Sequence, residues 1–266
     1  MSEIGESPAR RRMREALRSL TLSIKGLGVD EFDLHQLKGF NIQIHPMTLD
    51  ETSHTRHKPS YFAPYPGHLI PEPDDDALGG AYNGLDDETE LSLTRPVDRA
   101  YVMNIHLSCY ISYCERNAKG ERAPWTSKCV GDYPFKGLYK HAQPEFGCYQ
   151  ITDLNGPDYP HVKAVMYNNL VAKDSTILCG ELLPILRIML TQFWKTQFIH
   201  QMVSPVLIFS LMGHQARVIE AYFQDRILYL RPTKMYDFSH RNPEAFKTFV
   251  QWYMGSPIGD TVLASS

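Results

Sequence analysis

No run of apolar residues in this chain approaches the ~20 that a membrane-spanning helix requires; the longest, Leu182 to Leu190, is interrupted by Pro184 and Arg187. No membrane partner is expected. The first residues carry no apolar h-region, so we expect no secretory signal and an intracellular location, cytoplasmic or nuclear, where thiols stay reduced. Cysteine is sparse and odd in number: Cys109, Cys114, Cys129, Cys148 and Cys179 make five, which does not fit a disulfide framework. Neither sign of charge is in large excess. A formal net charge of -3 argues against general affinity for nucleic acid, and leaves an unidentified protein or small molecule as the expected partner. Also missing are a phosphate-binding glycine loop behind a strand, a Gly-x-Ser-x-Gly elbow, an internal repeat and a heptad register. We expect no cofactor.

What the chain does have is enough apolar sequence, 43% of residues, to bury a core without disulfide or metal support. In its last third Leu182, Ile185, Leu186, Met189, Leu190 and Phe193 recur at three- and four-residue spacing, which predicts a long helix over about 181–202. Pro184 should delay or kink its start. Pro205 to Met212 is a continuous apolar run, read as a strand covered on both faces and broken by Gly213, His214 and Gln215. Arg217 to Phe223 alternates, and Arg226 to Leu230 returns across a turn at Gln224 and Asp225, predicting a hairpin. Asn242 as N-cap, Pro243 at the first helical position and the stripe Phe246, Phe249, Val250 and Tyr253 predict a helix over 243–254 that stops at Gly255.

Upstream, Met13, Leu17 and Leu20 predict a short helix within 10–25, and Phe40 to Ile44 alternates like a strand. Ala100 to Tyr113 also alternates, with Met103, Ile105, Leu107, Cys109 and Ile111 on one parity, so we expect a half-buried strand there. Glu115 to Gly147 reads as loops with short pieces of strand around Phe135 to Tyr139, and His161 to Leu170 as another strand. The fold class is α+β: a mixed or antiparallel sheet from the segments at Phe40, Ala100, Val206, Arg217 and Arg226, packed by the two C-terminal helices.

Residues 1–47 supply the N-terminal helix and strand, 99–258 the main domain, and 259–266 a tail. Residues 48–98 are rich in proline, and 72–90 hold eight acids with no Lys or Arg, so this stretch is expected to be a mobile loop. Tyr61, Phe62 and Tyr65 within it are expected to pin an extended segment to the domain surface.

Candidate chemistry is thin. Cys109 and Cys114 lack the knuckle spacing of a zinc site and read as buried thiols, and His54 and His57 have no second pair of ligands. Asp74 to Asp76 lacks the spaced oxygens and turn glycine of a calcium loop. The arginines at 10, 11, 12, 14 and 18 suggest a surface helix or a nuclear signal, while Glu3, Glu6 and Glu15 argue against a transit peptide. His214 follows the buried strand, where an α/β protein can expose a catalytic histidine, but no acid or nucleophile is identifiable beside it. Glu181 and Arg187 on the long helix and Glu220 on the hairpin are charges among apolar residues, and buried carboxylates require partners. Either they form Glu–Arg pairs between helix and hairpin, with Arg217 a further partner, or the two acids meet in a catalytic cluster.

The order helix, three strands, helix, with an acid on the first helix and another on the middle strand, is similar to the core of the PD-(D/E)XK nuclease-like superfamily over residues 176–254. That resemblance implies Glu181 as the helix acid and Glu220 as the strand acid. Its Glu-x-Lys element has no match, because Ala221 and Tyr222 follow Glu220 and the Arg226 to Arg231 strand has no carboxylate. Metal-assisted hydrolysis then lacks ligands, and a degenerate nuclease-like domain is what the resemblance implies. In wording, CGELLPILRIML, PVLIFSLMGHQARVIEAYFQDRILYL and KMYDF, with Tyr236, Asp237 and Phe238, resemble a group of proteins from filamentous fungi. This implies a fungal source and a shared fold unit, and no reaction. We therefore expect a non-catalytic binding or interaction protein; the alternatives are an enzyme or enzyme-derived domain using Glu181, Glu220 and His214, or an accessory protein binding a small apolar metabolite. No metal ligands are expected.

Overall fold

The computed structural model describes every residue except 1–4, 52, 54, 81, 85–92, 118, 131–136 and 263–266. In chain order the helices are α1 (Pro8–Gly26), α2 (Leu34–Lys38), α3 (Pro96–Asn117), α4 (Cys179–Trp194) and α5 (Pro243–Met254). The strands are β1 (Glu31–Asp33), β2 (Ile42–Ile44), β3 (Phe62–Ala63), β4 (Trp125–Lys128), β5 (Phe146–Leu154) and β6 (Val162–Asn168). They continue with β7 (Thr176–Leu178), β8 (Val206–Met212), β9 (Gln215–Gln224), β10 (Ile227–Pro232), β11 (Tyr236–Asp237) and β12 (Ser256–Pro257).

A mixed sheet in the order β2-β10-β9-β8-β6-β5-β4 forms the middle layer, with β11 added to β9. Its two parallel pairings are β10 with β2 and β6 with β8. The alternation of β8 assigns Val206 and Ile208 to one core, beneath α1 and α4, and Leu207, Phe209 and Leu211 to the other, beneath α3 and α5. Helices therefore cover both faces, and every residue of β8 is buried. The fold is α+β, with a mixed sheet packed by helices.

Local signals account for the element ends. Ser7 Oγ accepts from Arg10 N at 3.2 Å ahead of Pro8, and Asn242 Oδ1 accepts from Ala245 N at 3.1 Å ahead of Pro243. The β9–β10 hairpin turns on Asp225 and Arg226, both left-handed at φ 51° and 64°, which is the type I′ geometry that matches strand twist. Gly180, in the first turn of α4, lies where any side chain would collide with Asn168 and Phe146, so glycine lets the helix start against β5 and β6.

Several sequence expectations need correction. Ala100 to Tyr113 is part of helix α3, not a strand; Ala100, Met103, Leu107, Tyr110, Ile111 and Cys114 bury one helical face, which packs on the sheet at β6 and β8. The long helix ends at Trp194, ahead of a 3₁₀ turn at Thr196–Phe198, rather than at 202. It begins at Cys179, so Pro184 neither delays its start nor ends it. The span 115–147 contains β4 and the start of β5 as well as loops; of the piece of strand expected over Phe135 to Tyr139, residues 135–136 lie outside the described residues and 137–139 form a turn and irregular chain instead.

Within 48–98, part of the chain is laid against the domain: Phe62 and Tyr65 are buried, β3 pairs with β12, and Leu49 O accepts from Trp252 Nε1 at 3.1 Å. The second half of the acid run, 85–92, lies outside the described residues. In the segment taken as a tail, the backbone carbonyl of Thr261 accepts from Met202 N and Val203 N.

Candidate functional site: a polar cleft beside a buried lysine

The two acids singled out in the sequence do not meet. Glu181 faces the α1 and α4 side of the sheet, where Arg217 Nε donates to its Oε1 at 2.8 Å and Arg217 Nη2 donates to Oε2, both side chains being fully buried. Leu178 N donates to the same carboxylate at 2.9 Å. Glu220, one residue further round the pleat from Ile219, faces the opposite side. There it accepts from Ser60 N at 2.7 Å, Tyr61 N at 2.7 Å and Arg231 Nη1 at 2.9 Å. Burial pushes the Glu220 carboxyl above its usual range, opposed by those two amides and by Arg231. Arg187 pairs with neither acid and donates instead to Gly137 O. The helix-to-hairpin pairing expected from the sequence holds for Glu181 with Arg217, while Glu220 is paired within the hairpin.

The histidines are also apart. His214 sits in the turn between β8 and β9, its carbonyl accepting from Phe238 N at 2.8 Å. His106 lies on α3 between the rings of Tyr82 and Phe246, burial lowering its pKa, at a small cleft where Arg241 pairs with Asp75 and Lys247 with Glu72. His54 lies outside the described residues. All five cysteines are free thiols; Cys114 and Cys148 are buried, Cys109 and Cys179 partly so, and Cys129 is exposed. Among the described residues no group of three or more His, Cys, Asp or Glu side chains could hold a metal, and no helix is long and apolar enough to cross a membrane.

A different constellation emerges on the α5 side. The strand registers align Ser127, Thr152, Lys163, Leu207, Glu220 and Arg231 in one row across six neighbouring strands. Lys163 is fully buried at its centre. Its Nζ donates to Tyr253 O at 2.8 Å and Gly255 O at 2.7 Å, the open carbonyls at the end of α5, and lies 3.9 Å from the centroid of the Trp125 ring. Burial lowers the lysine pKa well below its ordinary value. The carbonyls and the indole face favour the ammonium against that pull. Trp125 is fixed in turn by its Nε1, which donates to Gly255 O at 2.7 Å.

Beside this lysine the loop after α3, the edge strand β4 and the end of α5 enclose a polar cleft of about 550 Å³, within the usual range for small-molecule sites. Glu115, Arg122, Trp125, Ser127, Thr152 and Tyr253 line it. Thr152 and Tyr253 are 4% exposed, and their hydroxyls are neighbours at its inner wall. Among the described residues neither hydroxyl has a partner beyond the other. With one proton shared between the two, a donor and several lone pairs stay open. Burial also raises the Tyr253 pKa, so the phenol stays protonated and able to donate.

Sequence reasoning missed this cleft because its residues come from 115–127, 152 and 253, with no spacing that marks them. The one available signal was Lys163, a lone charge inside an otherwise apolar strand. Compared with known proteins, the chain matches no family model, no curated protein and no solved structure.

Proposed function

We propose that this chain is a non-catalytic binding protein whose site is the polar cleft beside Trp125, taking a small polar molecule. The observation that carries this reading is the pair of buried hydroxyls, Thr152 and Tyr253, which among the described residues have no partner at the cleft wall beyond each other. Leaving buried polar groups unmatched costs about 1–3 kcal/mol each, a cost that a bound ligand or ordered water recovers. A nuclease-type reading has less support, since Glu181 and Glu220 lie on opposite faces and each carboxylate is committed to an arginine and backbone amides.

Tyr253→Phe tests the reading, because the ring keeps its packing on Phe209 and only the hydroxyl is lost. We expect unchanged or slightly higher stability without ligand. In a thermal-shift screen of small polar metabolites, compounds that stabilise the wild type should stabilise this variant less. A loss of more than about 1 kcal/mol in ligand-free Tyr253→Phe would mean that the hydroxyl is already satisfied by the fold, and would defeat the proposal.

A further inference from the structure

Resting on the cleft as the binding site, we infer that its ligand is a small zwitterion of the α-amino acid class, with the carboxylate at Arg122 and the ammonium at Glu115. Both charged side chains line the same cleft. Among the described residues neither takes part in a hydrogen bond or ion pair, in contrast to the charges of the cleft at His106, where Arg241 with Asp75 and Lys247 with Glu72 neutralise one another. Glu115 stands in the last turn of α3, an end of the helix dipole that disfavours a carboxylate, so the fold itself gains nothing from the charge there. Lys163, the nearest other cation along the sheet row, donates to the α5 carbonyls and does not line the cleft.

Charge then selects the ligand class. A simple anion would meet Arg122 favourably and Glu115 unfavourably, and a simple cation the reverse. An uncharged polyol would take water from both groups and return no counter-charge. A molecule with one group of each sign supplies a counter-charge to both. The unmatched hydroxyls of Thr152 and Tyr253, with Ser127 beside them on the strand row, then favour a side chain that donates and accepts hydrogen bonds.

The test is calorimetric titration of the full chain with L-serine, L-threonine, L-asparagine and L-glutamine, with the N-acetyl and carboxamide derivatives of the best binder, and with sorbitol. We expect at least one amino acid to bind and each blocked derivative to bind about tenfold or more weakly. Arg122→Ala should then cease to distinguish the amino acid from its carboxamide, and Glu115→Gln should cease to distinguish it from its N-acetyl derivative. Binding of a blocked derivative as tightly as the free amino acid overturns the zwitterion inference. So does binding of sorbitol with none of the amino acids, an outcome that leaves the cleft itself standing as a polar site. If no compound binds and Tyr253→Phe is destabilised without ligand, the binding-site reading fails together with the inference.

Discussion

Glu220→Gln separates a structural carboxylate from a catalytic one. In the native protein the carboxylate takes hydrogen bonds from Ser60 N, Tyr61 N and Arg231 Nη1, all at 2.7–2.9 Å, and is fully buried. Glutamine has the same shape but offers one acceptor oxygen and an NH₂ group that must point at a donor. At least one amide or Arg231 then loses its partner. A buried hydrogen bond to a charged group is worth about 1.5–3 kcal/mol, and leaving one member of a buried ion pair uncompensated costs about 3–5 kcal/mol. Arg231 keeps Ser60 Oγ at 2.6 Å and Arg56 O at 2.8 Å, which places the expected loss near the lower end, about 3 kcal/mol. For a chain of this size that lowers Tm by about 6–12 °C. Urea unfolding followed by far-UV circular dichroism should show a lower midpoint with an unchanged slope. Removing both charges in Glu220→Leu with Arg231→Met should be milder than the single change, because no lone charge stays buried. The single variant should also be cut faster by protease near residues 56–66, since Glu220 holds that segment by its amides. A Glu220→Gln protein as stable as the wild type at pH 7 would refute the reasoning, and metal-dependent DNA cleavage lost in that variant would point to the enzyme reading.

Three further outcomes follow from buried groups elsewhere. His161 is buried, with Nε2 against Ile258 O at 3.0 Å, and burial lowers its pKa from 6.5 to about 4. The unfolded chain therefore binds a proton in that window that the folded protein does not, so this contribution is complete above pH 6.5 and falls by up to about 3 kcal/mol as pH drops to about 4; stability measured against pH should slope less in His161→Gln, and equal slopes would count against a buried neutral imidazole. Lys163→Met should cost about 2 kcal/mol, since two α5 carbonyls lose their donor while the cost of burying an ammonium disappears, and denaturant midpoints would reveal it. Among the thiols, Cys129 should react first with a chromogenic disulfide at pH 8, while Cys114 and Cys148, pushed up to about 12 by burial, should react only on unfolding; mapping the modified residues by mass spectrometry checks the order.

The parts of the fold legible in the sequence are those where one periodicity stands alone. The helix after Asn242 and the strands from Val206 to Leu230 carry caps, turns and patterns that agree. Helix α3 was misread because YVMNIHLSCYISY satisfies two periods at once. Its odd positions from Tyr101 to Ile111 alternate as a strand would, yet the buried set Met103, Leu107, Tyr110, Ile111 and Cys114 follows the helical spacing. The length of the pattern, continued to Asn117, and Pro96 at its first position favour the helix, and tertiary packing on β6 and β8 decides it. The candidate acids were legible as groups needing partners, but not their separation. That follows from the pleat: Arg217 and Glu220 differ by an odd number of residues, which sends their ion pairs to opposite faces.

The uniform burial of β8 has a kinetic side. VLIFSLM carries no charge and no proline, and both of its edges are paired in the native sheet. One partner, β9, follows directly through a turn at Gly213 and His214, where glycine supplies the left-handed φ of 62°. The other, β6, is parallel and can dock only after the crossover through β7 and α4 has folded. Parallel, non-local pairing forms slowly, and until it does β8 presents an apolar edge of the kind that recruits strands from other molecules. The strand that makes the native sheet secure is therefore the most hazardous segment of a chain still folding. By closing one of its edges early, the short turn at Gly213 and His214 shortens the exposure of the other.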